Sequence, residues 1–188
     1  HLFSSAASDV YKRQEYRGYD SCGIGVIHEN EIKTFKWKGR VRKTEKRFNE
    51  TKIKPSIAIG HTRWATHGEP NDINAHPIKS FNGEFAVVHN GIIENYKELK
   101  KILLDKGYKF YTETDTEILV NFIEECVSNS NNIDKGISYA LSRLEGAFGI
   151  VLIKKSETEV MYAARKGSPL AFGKKGTNFF IASDATPI

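Results

Sequence analysis

Two polar clusters hold the residue types from which a binding or catalytic site could be built. GHTRWATHGEP (Gly60 to Pro70) places Arg63, Trp64, Thr66 and His67 within five positions. VVHNGIIENY (Val87 to Tyr96) places His89, Asn90 and Gly91 in a row. Each cluster follows a short apolar run, Ile57-Ala58-Ile59 in one case and Phe85-Ala86-Val87-Val88 in the other. That pattern is a buried strand delivering polar side chains at its tip. Structural turns rarely need an Arg-Trp pair, and core strands rarely end in His-Asn-Gly, so the stretch reads as a ligand site whose reacting group is still to be found. The histidines His61, His67, His76 and His89 fit no zinc motif, and no cysteine pair or carboxylate set accompanies them. They read as structural histidines, with no metal and no cofactor expected. Gly167-Ser168-Pro169 reads as a turn and not as a phosphate loop.

The elements that must position these clusters follow from periodicity. Gly23 to His28, Ile32 to Lys38, Ile57 to Arg63 and Glu84 to Asn90 read as strands, with Asn30 in the first turn. Val41 to Glu50 reads as a charged helix. Ile93 to Lys106 is amphipathic, with Ile93, Tyr96, Leu99, Ile102 and Leu103 on one face and Gly107 closing it. Thr114-Asp115-Thr116-Glu117 has capping-box spacing before a helix whose apolar face carries Ile118, Leu119, Phe122, Ile123 and Cys126. A further helix spans about Ile133 to Leu144. Strands are then expected at Ala147 to Lys154, Glu159 to Ala164 and Asn178 to Ser183, with Pro169 to Phe172 as a candidate fourth. Strands, then helices, then strands describe an α+β domain with antiparallel sheets.

Composition narrows the class without naming it. The chain has 188 residues, 39% hydrophobic and 27% charged, as expected of one globular domain or a piece of a larger protein. No apolar run approaches the roughly 18 residues of a membrane span, so no membrane partner is expected. The net charge of +5 is concentrated between Lys33 and Lys54, with no nucleic-acid motif beside it, and a solvated basic surface is the reading. Cys22 and Cys126 are too few for a disulfide framework, which points to a reducing, cytoplasmic compartment.

The quoted motifs, together with EYRGYDS (Glu15 to Ser21), NAHP (Asn74 to Pro77), ETDTE (Glu113 to Glu117), LEGAF (Leu144 to Phe148), ARKGSPL (Ala164 to Leu170) and IASD (Ile181 to Asp184), closely resemble the N-terminal glutaminase domain of the glutamine–fructose-6-phosphate aminotransferase family. They occur in that family's order across Glu15 to Ile188. The resemblance implies an N-terminal-nucleophile hydrolase fold, a four-layer αββα sandwich of antiparallel sheets, here incomplete at both ends. It implies hydrolysis of glutamine, with ammonia passed to fructose 6-phosphate on C-terminal isomerase domains, in a full-length homodimer.

The same resemblance implies roles residue by residue. Arg63 binds the substrate α-carboxylate, for which a guanidinium fork is suited. Asp115 receives the α-ammonium, and it also suits a helix N-terminus as a plain structural charge. The Asn90 side chain and the Gly91 backbone N–H form the oxyanion hole; a hairpin turn is the structural alternative. Thr66 and His67 line the glutamine pocket, Trp64 is a mobile lid with a packing role as its alternative, and Arg17 sits beneath the nucleophile. The family's nucleophile is an N-terminal cysteine whose own α-amino group acts as base.

Here the sequence departs from the family. No Cys-Gly-Ile start precedes EYRGYDS, and Cys22-Gly23-Ile24 lies after it. Cys22 reads as a buried small apolar residue. Residues 1–14 (HLFSSAASDVYKRQ) read as a non-native leader, because DVYKRQ back-translates to a transposon end used in sequencing adapters; a disordered N-terminal tail is the alternative. The expectation is a partial glutaminase domain over residues 15–188, inactive alone. The other readings are a non-catalytic glutamine-binding regulatory module and another amidotransferase of the same fold.

Overall fold

A computed structural model describes residues 18–65 and 68–184. The order is β1 (Ser21–His28), β2 (Glu31–Lys38), α1 (Val41–Glu50), β3 (Ala58–Arg63), β4 (Ile78–Lys79), β5 (Phe85–Gly91), α2 (Tyr96–Asp105), α3 (Asp115–Ser128), α4 (Ile133–Ser142), β6 (Phe148–Lys154), β7 (Met161–Lys166), β8 (Ala171–Lys175) and β9 (Asn178–Ala182).

The strands form one sheet ordered β2-β1-β3, a second ordered β4-β5-β6-β7, and a separate β8-β9 hairpin. All their ladders are antiparallel. The β1–β2 connection is a two-residue turn, with Glu29 and Asn30 at φ of 54° and 58°. Positive φ at both central positions gives the turn the twist that antiparallel strands need.

Side-chain alternation produces the layers. In β5, Phe85 and Val87 face the helices, where they join Leu99, Leu103, Leu119 and Ile123. Their neighbours Ala86 and Val88 face the other sheet and meet Ile27, Ile57 and Ile59. The same split occurs in β6, with Ile150 and Leu152 on the helix side and Val151 and Ile153 between the sheets. The far face of β1 presents Cys22, Ile24 and Val26 to Val41 and Phe48 of α1. The result is α1, sheet, sheet, then α2 to α4: an αββα sandwich, as expected. Each fully buried Ile, Leu or Phe contributes about 1.5–3 kcal/mol, so these three clusters hold the layers together.

Several boundaries differ from the sequence reading by one to three residues. The helix expected from Ile93 begins at Tyr96, because the segment before it stays laddered to the chain leading into β6, with the Ile92 and Glu94 N–H groups bonded to the Ala147 and Glu145 carbonyls. The strand expected at Glu159 to Ala164 runs Met161–Lys166, and the candidate strand at Pro169 to Phe172 runs Ala171–Lys175. Strand β4 is only two residues long, too short to leave a period. The Thr114 cap holds, its hydroxyl accepting the Glu117 N–H at 3.3 Å. Glu117 does not complete a reciprocal box: its carboxylate takes the N–H groups of Tyr111 and Thr112 instead.

Candidate active site

Strands β3 and β5 run in different sheets, yet both end beside one cavity of about 1090 Å³. Its walls are β3, the end of β5, the first turn of α3, and β9 with the Ser168–Leu170 segment. Among the described residues, no strand pairs with the outer edge of β3, and that edge borders the cavity.

Period-two alternation places Ile57, Ile59, His61 and Arg63 on one face of the β3 segment. The first two fill the inter-sheet core, and the last two reach the cavity. Arg63 is only 4% exposed. Burial pulls its guanidinium below the ordinary arginine value, and the carboxylates of Asp20 and Asp115 oppose that pull. Its Nη2 points toward the Gly68 carbonyl at 3.5 Å, and its own carbonyl accepts the Asp20 N–H at 2.9 Å. Asp20 in turn accepts the Ala65 N–H at 2.6 Å, which fixes the chain on either side of Trp64. The Trp64 ring is 71% exposed and lies over Gly18, where a Cβ would approach it to 3.2 Å.

Asp115, the first residue of α3, is buried, and its Oδ2 accepts the Ile93 N–H at 2.9 Å. A carboxylate suits the positive end of a helix, so the structural role weighed for it is real. It also borders the cavity with Arg63. The two supply an anion and a cation to one space.

Asn90 and Gly91 end β5, where they pair with Gly149 and Phe148 of β6, so no hairpin turn forms there. Gly91 has φ of +115°, and a Cβ on it would meet the Ala147 carbonyl oxygen at 2.0 Å. Only glycine fits, because β6 is drawn in by the Ile92 N–H bond to that same carbonyl at 3.0 Å. LEGAF is therefore a buttress for the Asn90–Gly91 bend. Asn90 Oδ1 lies 2.7 Å from His61 Nε2.

The sequence reading did not single out His61 from the other histidines; its place on the Arg63 face of β3 was the available signal. Burial pushes His61 down to about 4, with its hydrogen bond to the Asn90 side-chain carbonyl oxygen pulling the other way. His76 packs against it with ring centroids 4.6 Å apart, and burial holds His76 well below the ordinary histidine value too. His89 points to the helix side, its Nδ1 3.0 Å from Thr116 Oγ1. Among the described residues, no group of three or more His, Cys, Asp or Glu side chains is arranged to hold a metal ion.

Neither thiol of the chain reaches the cavity. Cys22 is fully buried, its Sγ 3.3 Å from the Gly39 carbonyl and 3.2 Å from Thr44 Oγ1 under α1. Cys126 lies on α3 with its thiol pushed up to about 11 by burial. Arg17, Thr66 and His67 fall outside the described residues.

A family profile described as a glutamine amidotransferase domain matches residues 61–188. The chain belongs to the glutamine amidotransferase family. It is 47% identical over 170 residues to the glutamine–fructose-6-phosphate aminotransferase (isomerizing) of Clostridium perfringens, covering 90% of this chain and 28% of that protein. The equivalent enzyme of Pyrococcus horikoshii is 45% identical over 182 residues, covering 95% of this chain and 30% of that one. The domain thus spans less than a third of the length of these curated relatives. Among solved structures, the glutamine phosphoribosylpyrophosphate amidotransferase from B. subtilis superposes with a TM-score of 0.80 at 28% identity, covering 98% of this chain and 40% of that one. A glutamine aminotransferase class-II domain protein from Silicibacter pomeroyi shares the fold, with a TM-score of 0.60 at 14% identity. The amidotransferase domain therefore has the N-terminal-nucleophile hydrolase sandwich, and glutamine is the nitrogen source this family uses.

Proposed function

We propose that this domain is the glutaminase part of an enzyme that hydrolyses glutamine and passes the ammonia to fructose 6-phosphate, forming glucosamine 6-phosphate. The observation that carries the reading is the convergence of Arg63, Asp115 and the Asn90–Gly91 bend on one cavity. An α-amino acid needs a cation for its carboxylate and an anion for its ammonium, and Arg63 and Asp115 are matched to those two groups. The amide being cleaved develops negative charge on oxygen, and the Asn90 side-chain amide with the Gly91 backbone N–H supplies donors for it. Trp64 closes the pocket, with Thr66 and His67 lining it and Arg17 supporting the oxyanion side.

The thiol is supplied by a cysteine outside the chain as given, on a strand laid between β3 and β9, with its own α-amino group as base. Fructose 6-phosphate would bind isomerase domains of the whole protein, a homodimer in the cytoplasm. On this reading the 188-residue chain binds glutamine weakly and does not hydrolyse it. A second reading, a non-catalytic glutamine-binding module, draws on the pocket's lack of either thiol.

Titrating the chain with L-glutamine by calorimetry tests the pocket. Binding that weakens at least about tenfold in R63K supports it, because lysine keeps the charge and loses the fork; binding indifferent to Arg63 would overturn it. An electrophilic glutamine analogue, applied to the chain and to one extended to begin Cys-Gly-Ile with a first strand, separates enzyme from module. Labelling at the added N-terminal cysteine supports the enzyme, and labelling of Cys22 would sink the assignment.

A further inference from the structure

The 2.7 Å contact between His61 Nε2 and Asn90 Oδ1 does more than pack two polar groups. An asparagine amide is nearly symmetric in shape, and only its hydrogen-bond partners decide which end faces which way. With Oδ1 on the histidine, the NH2 group is turned away from the ring, and Asn90 and His61 both border the cavity. The reversed amide would present an oxygen lone pair to the same space. The first arrangement donates to a developing oxyanion, and the second repels it.

We propose that His61 is the positioning residue that sets the polarity of the Asn90 amide: its Nε2–H tautomer holds Oδ1 and aims the Asn90 NH2 at the substrate oxygen. This rests on the reading of Asn90 as an oxyanion donor.

Three observations support this tautomer and hold the ring in place. Asn90 Oδ1 can only accept, so the nitrogen facing it carries the hydrogen. The other ring nitrogen, Nδ1, is buried without a hydrogen-bond partner. A bare lone pair there costs less than a buried N–H with no acceptor, which the opposite tautomer would create. His76 packs on the ring at 4.6 Å between centroids and limits its rotation. The imidazole is neutral near pH 7, because burial pushes it down to about 4. The arrangement joins β3 to β5 across the two sheets, so the donor is pre-aimed by the packing of the sandwich.

The test is nuclear magnetic resonance on the full 188-residue chain. Two-bond proton–nitrogen correlations of the histidine rings, assigned with H61Q, report the His61 tautomer without ligand. The expected result is hydrogen on Nε2; hydrogen on Nδ1 overturns the proposal. H61Q, whose amide can still donate to Oδ1, should keep the Asn90 side-chain amide resonances near their wild-type positions. H61L should move them and weaken L-glutamine binding by about tenfold, the loss of roughly one hydrogen bond. Asn90 resonances that do not respond to H61L in a folded variant would also overturn it. If L-glutamine binds no variant while His61 carries hydrogen on Nε2, the glutamine site has failed and the His61–Asn90 positioning stands.

Discussion

The Oδ2 of Asp115 accepts the backbone N–H of Ile93 at 2.9 Å, tying the first turn of α3 to the segment that leaves the Asn90–Gly91 bend. One carboxylate thus serves as a structural clamp and as the anion of the pocket. D115N keeps an oxygen acceptor for Ile93 and removes the negative charge. It should lower stability by less than about 1 kcal/mol, while L-glutamine affinity falls at least about tenfold. D115A should lose both, with about 1–3 kcal/mol of stability gone because a buried N–H is left unpaired. Urea unfolding read alongside calorimetric titration separates the two effects; equal binding losses without any stability difference would contradict the clamp.

Gly91 and Gly83 make a matched pair for testing the bend. Both have positive φ, +115° and +72°, but a Cβ on Gly91 would strike the Ala147 carbonyl at 2.0 Å, whereas nothing lies within 4 Å of one on Gly83. G83A should cost about 1 kcal/mol from backbone strain alone. G91A should cost more than about 2 kcal/mol, since β6 must retreat as well. Comparable urea midpoints for the two variants would show that the approach of β5 to the Ala147 carbonyl is not constrained.

Acid should destabilise the fold before most carboxylates titrate. Burial depresses both His61, to about 4, and His76, well below the ordinary histidine value. Between the folded and unfolded values the unfolded chain binds more protons, so stability rises with pH across that window. The contribution is present above about pH 6.5 and is lost as pH falls toward 4. His61 alone should remove about 2 kcal/mol between pH 7 and pH 5. Urea unfolding at those two values measures it, and a flat profile would mean that water reaches these rings.

Glu124 is a carboxylate only 1% exposed that does not line the pocket. Its oxygens accept from Ser80 Oγ at 2.5 Å, from the Asn82 N–H at 3.1 Å and from Asn82 Nδ2 at 3.0 Å. It therefore holds the turn between β4 and β5. E124A should destabilise by about 3 kcal/mol, because several buried donors lose their acceptor together. Its L-glutamine affinity should match wild type once the chain is folded. Thermal melts followed by titration at low temperature check both.

The layers and the cluster at each strand tip were legible in the residues themselves. The unbroken apolar run Phe85-Ala86-Val87-Val88 announces a strand buried on both faces, and Leu99 with Leu103 announces a helix face, because each signal is a local pattern of the chain. The motifs around Arg63, Asn90 and Asp115 were legible as contiguous words of sequence that resemble the family's. The start of α2 was not, since Ile93 continues the helical period while its neighbours Ile92 and Glu94 bond to Ala147 and Glu145, more than 50 positions away. Strand β4, at two residues, carries no period at all.

Four histidines looked alike along the chain, and the one local signal, His61 standing two positions before Arg63 on the same strand face, does not say what its ring meets. Sheet packing separates them. It sets His61 against Asn90, 29 positions on, turns His89 toward Thr116 on the helix side, and leaves His76 between them. The sequence by itself determined which side chains were available for glutamine chemistry and which elements carry them. Only the tertiary structure decided which way the donors and charges face, because those directions are set by contacts between sheets whose strands are distant in the chain.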